Sequence, residues 1–470
     1  MTSPLDRRRA GVLLHPTSLP AAAGGGVLGD SAHRFIDLLA DTGFTVWQML
    51  PVGPTDRSGS PYSSKSSFAG NVQLIDFAAA ARQLDLDFQP GEVAGLLRAA
   101  REHCTAFADF VDTQRAWLQP WACYALLRQR HAGKPWWLWP AAERDAKPET
   151  IAALQDEPAC SDILALQFIF ELQWQQLCTH AAARGVRLFG DLPFYTDLDS
   201  ADVWAERTVF ALDAHGAPRE VAGVPPDYFS ADGQLWGNPL YDWNGHREQV
   251  FDWWRRRLQT QLARFDLLRL DHFRALESHW AVPADARTAR DGAWHATPGH
   301  ELLAELGKQL GGVPLVAEDL GEITPEVLAL RDAFDLPGML VLQFAFDGSK
   351  ENPYMPAKHV PNAVVYTGTH DNDTTLGWYA SQDAQTRERM HALTGGSAQD
   401  MPEPLIRTAF ESVAKLAVVP LQDLLGLGSE ARMNVPGVAD GNWSWQFRWE
   451  DTEPGFSRRW RGLLAETGRL

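Results

Sequence analysis

Cysteine is scarce in this 470-residue chain. Cys104, Cys123, Cys160 and Cys178 are the only four, widely spaced and without a CxxC pair. That excludes a disulfide framework and argues against a Cys-based metal site, leaving free thiols suited to a reducing compartment. Basic charge is also in deficit, with 42 Lys and Arg against 60 Asp and Glu, a formal net charge of −18. Nucleic acids and anionic membrane surfaces need clustered cations, so both are excluded as partners. No run approaches the roughly 20 apolar residues of a spanning helix. The stretch "AGVLLHPTSLP" after Arg7, Arg8 and Arg9 is broken too soon by His15 and Pro16 to serve as a signal peptide, which points to the cytoplasm.

Familiar catalytic signatures are missing as well. There is no HExxH, EF-hand pattern or His/Cys pairing at ligand spacing, so no metal and no cofactor is expected. "AAAGGGVLGD" (21–30) lacks the Lys-Ser/Thr of a phosphate loop, and reads as a flexible turn. No GxSxG elbow occurs.

Tryptophan, in contrast, is abundant, at 19 residues. Most are expected in the core. The remainder offer flat apolar faces with an N–H donor, which match the C–H faces and hydroxyl rims of sugar rings.

Six apolar segments without polar alternation read as buried strands: 43–52, 185–195, 265–273, 312–320, 338–347 and 363–373. Helical spacing lies between them. Ile163, Leu166, Phe170, Trp174 and Leu177 step by three or four before Arg184-Gly185, and Val250, Trp254, Leu258 and Leu262 step by four. "TPEVLALRDAF" opens with Thr324 as cap and Pro325 at the first helical position. Strand–helix–strand repetition implies a parallel sheet, open or closed. Asp191, Asp271, Glu318 and Asp371 each fall at the C-terminal end of a different strand, and a (β/α)8 TIM barrel gathers such ends on one active face. The expected organisation is a single catalytic domain over 1–470 with an inserted helical subdomain at about 80–160 and an inserted loop region at about 196–245, of which 222–243 reads as one long loop.

Converging carboxylates without a metal suit glycosyl transfer. Retention needs a carboxylate nucleophile and a protonated carboxyl as acid, about 5–5.5 Å apart. Arg269 lies two residues before Asp271, hence on the same side of a strand, where a fixed cation keeps the nucleophile ionised.

The motifs "SPYSSKSSFAGN" (60–71), "GDLPFY" (190–195), "AGVPPDYFSADGQLWGNPLYDW" (222–243), "LRLDHFR" (268–274), "AEDLG" (317–321), "LPGMLVLQFAFD" (336–347), "YTGTHDNDTTLGW" (366–378), "LQDLLGLGSEARMNVPG" (421–437) and "GNWSW" (441–445) occur in order over nearly the whole chain. In these the chain resembles the 4-α-glucanotransferases called amylomaltases or disproportionating enzymes, glycoside hydrolase family 77, relatives of the α-amylases. The resemblance implies Asp271 as nucleophile and Glu318 as acid/base. It implies that Asp371 stabilises the oxocarbenium-like transition state, and that His370 and Asp371 grip the hydroxyls of the sugar being cleaved. Arg269 holds Asp271, while Asp191 and Tyr62 line the same subsite, Tyr62 by stacking. Ser60 joins the substrate-binding set. Trp236 faces sugar from a mobile loop, with Tyr228 and Phe229 near its tip.

The implied partners are maltodextrin, amylose or glycogen-derived glucans as donor and acceptor. An α-glucan hydrolase of the α-amylase type is the alternative, and a non-catalytic glucan-binding protein a more remote one. "FRALESHW" stands where the family pattern reads "FRGFEAYW", so Ala275, Leu276 and His279 depart from it. "GNVQLI" (70–75) stands in place of "GNPLLI". Both changes leave the catalytic set intact.

Overall fold

Eight parallel strands carry the chain: β1 (Arg9–Leu13), β2 (Val46–Gln48), β3 (Arg187–Pro193), β4 (Leu267–Asp271), β5 (Leu315–Ala317), β6 (Gly338–Val341), β7 (Ala363–Tyr366) and β8 (Leu416–Pro420). The computed structural model describes residues 5–21, 25–86, 92–226, 230–438, 440–452 and 454–470. The strands pair in the order β6-β7-β8-β1-β2-β3-β4-β5. The Ala317 amide donates to the Pro337 carbonyl at 2.8 Å, bringing the two ends together. Helices pack around the outside, and the architecture is a (β/α)8 barrel.

Period-2 alternation sorts side chains to the two faces of each strand. Leu267, Phe189, Val316, Met339, Val364, Leu416 and Val418 fill the barrel interior. Their neighbours, including Leu268, Leu270, Ala317, Val365 and Val419, face the helices. Arg269 and Asp271 share the parity of Leu267, so the barrel interior is where they belong. Gly190 has outward parity. A Cβ there would lie 2.6 Å from the Phe265 ring, so only glycine lets that ring pack against β3.

All six expected strands end before their apolar segments do. The segment 338–347 is strand only to Val341 and then turns into a 3-10 helix over Leu342–Phe344. The strands β1 and β8 were not read from the sequence. Neither carries a carboxylate that draws attention to its end. Helices Pro158–Ala183 and Arg247–Arg264 match the expected spacing, and Gly185 adopts the left-handed φ of +71° after the first of them. Thr324 holds the N-cap position of Pro325–Ala333, but its side chain makes no capping bond to the helix backbone.

Between β2 and β3 the chain is largely helical, with Val93–His103, Thr105–Thr113, Arg115–Arg130 and Pro148–Gln155 preceding Pro158–Ala183. The segment 222–243 is not one long loop. Strands Glu220–Val224 and Gln234–Pro239 pair antiparallel, and Ser278–Pro283 and Ala293–Ala296 complete a four-stranded sheet. Three of these strands are exposed or interrupted by glycine, so they lack the buried apolar run that marks the barrel strands. Residues 22–24 of the glycine-rich turn, and Tyr228 and Phe229, lie outside the described residues.

Among the described residues no helix is long and apolar enough to cross a membrane. Of the tryptophans, Trp47, Trp136, Trp174, Trp204, Trp253 and Trp460 are fully buried in packing roles.

Candidate active site

The C-terminal ends of the strands open into a cleft of about 2200 Å³. Its floor holds Asp271, Glu318, Asp371, His370, Tyr62 and Arg269. Register explains the floor. Asp191 and Arg269 are Cα partners across β3 and β4, both with inward parity. Leu270 is opposite Ala317 across β4 and β5, which sets Asp271 and Glu318 at the same level on neighbouring strands.

Arg269 is the electrostatic centre. Its Nη1 donates to both oxygens of Asp191, at 3.0 and 2.8 Å. Its Nη2 lies 2.8 Å from Asp271 Oδ1. Burial pulls the guanidinium down, but Asp191 and Asp271 together outweigh it and hold Arg269 firmly protonated. Burial also pushes Asp191 up, and Arg269 opposes the shift. A two-oxygen contact to a guanidinium is the geometry of a carboxylate.

The resemblance implies that Asp191 lines the sugar subsite, but its side chain is not on the cleft wall. Its side chain is sealed beneath Arg269 and Tyr62, whose hydroxyl donates to Asp191 Oδ2 at 2.8 Å. The inward parity of β3 buries it one layer below the sugar-facing groups. Asp191 therefore acts by orienting others.

Tyr62 Oη is also 2.8 Å from His370 Nε2, and the two rings stack at 5.2 Å with an interplanar angle of 16°. His370 Nε2 lies 3.3 Å from Asp371 Oδ2. Asp371 is half-exposed to the cleft, with Oδ1 accepting from Asn434 Nδ2 and its carbonyl from Arg432 Nη2, both at 2.6 Å. Asn434 and Arg432 sit in "SEARMNVPG". That motif marked the family, but nothing local in it announced a contact to a residue some sixty positions away.

Glu318 follows β5 directly. Its Oε2 accepts from the His272 backbone amide at 2.8 Å, and its Oε1 from the Leu320 amide at 3.3 Å. His272 is left-handed at φ +57°, an uncommon conformation for a non-glycine residue. The kink ends β4 just after Asp271 and turns the His272 amide to Glu318. Desolvation raises Glu318 to about 7, with Arg269 opposing the shift and Asp271 adding to it.

Ser60 lies on the rim, its Oγ accepting from the Tyr62 amide at 3.3 Å. Trp236 is 39% exposed on the cleft wall, edge-on to His272 at 4.8 Å. It is carried by the strand Gln234–Pro239, not by an irregular loop. Sequence reasoning did not single out Trp294, Trp443, Phe344 or Tyr354, which also line the cleft. Trp294 stacks on the Arg274 guanidinium at 3.8 Å. The departures from the family pattern pack beside this wall. Ala275 and Leu276 are buried, and His279 Nδ1 is 2.9 Å from Thr297 Oγ1.

The family model described as 4-alpha-glucanotransferase matches residues 14–452. The 4-alpha-glucanotransferase of Thermus thermophilus is 44% identical over 98% of this chain and 99% of its own length. That of Synechocystis is 43% identical over 94% of each. The amylomaltase of Streptococcus agalactiae, solved in complex with acarbose, superposes with a TM-score of 0.93 at 31% identity, covering 98% of this chain and all of that one. With the barrel, the paired carboxylates and these matches together, the chain belongs to the 4-alpha-glucanotransferases of glycoside hydrolase family 77.

Proposed function

We propose that the chain transfers segments of α-1,4-glucan, of the maltodextrin, amylose or glycogen-derived kind, to the 4-hydroxyl of an acceptor glucan or glucose by a retaining double displacement, and that it does so in the cytoplasm. The observation that carries the site assignment is the pairing of unlike carboxyls on adjacent strands. Asp271 is held by the Arg269 guanidinium at 2.8 Å, while Glu318 is raised to about 7. Two carboxyls with environments this different divide into nucleophile and acid/base.

In the first half-reaction Asp271 attacks the anomeric carbon as the glycosidic bond breaks, and the Glu318 proton goes to the leaving oxygen. In the second, Glu318 takes the proton from the acceptor 4-hydroxyl as that oxygen displaces Asp271. Both half-reactions use the same proton carrier, which must change state near neutral pH. Asp371 and His370 hold hydroxyls of the reacting sugar, and Asp371 adds negative charge next to the developing oxocarbenium ion. Trp236 and Ser60 bind sugar at the wall and rim.

Four widely spaced cysteines without a CxxC, suited to a reducing compartment, support the cytoplasmic location.

Incubation of the pure protein with maltotriose tests the activity. A ladder of longer maltodextrins with release of glucose is the expected product pattern. Shortening alone overturns transfer in favour of hydrolysis.

A further inference from the structure

A second cavity of about 20 Å³ is lined by His370 but not by Tyr62. Its wall includes His15, His370, Asp373, Gln422 and Arg432. His15 follows β1, in the stretch "LLHPTSLP" that the catalytic assignment leaves without a role. It is 5% exposed, and its Nδ1 is buried with no hydrogen-bond partner among the described residues. The other polar walls are engaged elsewhere. Arg432 donates to the carbonyls of Asp371 and Asn434, and Asp373 accepts from Ser429 and the Thr374 amide. Burial holds the His15 ring neutral, pushed down to about 3.

The hydrogen-bond inventory at His370 gives this arrangement a use. The Tyr62 hydroxyl has one proton, and it goes to Asp191, whose two oxygens both accept from Arg269 Nη1 as a carboxylate. At 2.8 Å the remaining contact requires His370 Nε2–H to donate to Tyr62 Oη. The Nε2 proton also faces Asp371 Oδ2 at 3.3 Å. In a neutral imidazole with Nε2 protonated, Nδ1 is an acceptor, and a donor there fixes tautomer and ring orientation. A cavity above about 10–15 Å³ with several polar partners is large enough for one water.

We infer that His15 is a positioning residue for the transfer reaction, holding His370 in its Nε2–H tautomer through one water bound in the cavity that both residues line. The water accepts from or donates to His15 Nδ1 and donates to His370 Nδ1. His15 touches no sugar. It acts through the contacts of His370 to Tyr62 and Asp371. This inference rests on the role proposed above for His370.

The His15→Phe and His15→Asn variants test it. Phe keeps the ring volume without a polar atom, and Asn places an amide where Nδ1 was. The expected result on maltotriose is about a tenfold loss of kcat in H15F with little change in KM, and recovery to within about twofold of wild type in H15N. A wild-type kcat in H15F, or equal impairment in both variants, overturns the inference. Long-range 1H–15N spectra of 15N-histidine-labelled wild-type protein give a reading that does not depend on H15F folding. His370 is expected as Nε2–H, and the Nδ1–H form overturns the proposal. The wild-type maltotriose ladder separates the two readings. Transfer with an indifferent H15F removes only the role of His15, whereas no transfer in wild type removes the activity itself.

Discussion

Asp191 and Arg269 face each other across β3 and β4, and a single guanidinium nitrogen, Nη1, binds both oxygens of the carboxylate at 3.0 and 2.8 Å. The second nitrogen, Nη2, is thereby left for Asp271. A fully buried aspartate sets the direction in which the arginine presents itself to Asp271. Tyr62 and, through it, His370 hang on the same carboxylate.

Asp191→Ala therefore removes the partner of a buried cation. We expect a loss of stability of about 3–5 kcal/mol, the usual cost of orphaning one member of a buried pair. Activity should fall as well, although Asp191 is not on the cleft wall. Urea unfolding alongside steady-state kinetics checks both, and unchanged stability would falsify the role given to Asp191.

Asp271→Asn keeps the shape of the side chain and removes the nucleophile. Transfer should be abolished while maltodextrin binding, measured calorimetrically, stays near wild type. Near-normal turnover in this variant sinks the assignment of Asp271.

Glu318 should impose a basic limb on the rate. The acid form is needed for bond cleavage, so kcat/KM is expected to fall tenfold per pH unit above about 7. Glu318→Gln should cost about 10²- to 10⁴-fold in rate and remove that limb. Stability carries the same signature. The folded chain binds this proton more tightly than the unfolded one, about 7 against an ordinary 4.5, so Glu318 lowers stability progressively as pH rises through that window. Glu318→Gln should flatten that part of the stability profile. A basic limb retained in the Gln variant assigns the limb to another group.

Trp236 is exposed at the wall and packs edge-on against His272. Trp236→Ala should leave thermal unfolding nearly unchanged and raise KM by about tenfold at most, corresponding to ~1.5 kcal/mol of aromatic contact. A large drop in melting temperature with unchanged KM makes Trp236 a packing residue.

Much of the site was legible because it is local. In "DLLRLDHF" the period of two places Arg269 and Asp271 on one face of a strand, and the abrupt end of the apolar run marks where that strand stops. Motif order then carried the family, and with it Glu318 beside Asp319 and the His370-Asp371 pair. The strands β1 and β8 were hidden because no carboxylate marks where either of them ends. The sheet built from 220–224 and 234–239 was hidden because an exposed, glycine-interrupted strand has no buried pattern to betray it.

By itself the sequence determined which faces its barrel strands bury, which strand ends carry carboxylates, and, through the order of its motifs, the family. Only the tertiary structure decided that Asp191 supports the site from below, that Asn434 and Arg432 reach Asp371, and that His15 and His370 line one cavity. Those relations join residues dozens to hundreds of positions apart. They follow from the register of barrel strands and from loops meeting over the strand ends, which no local periodicity encodes.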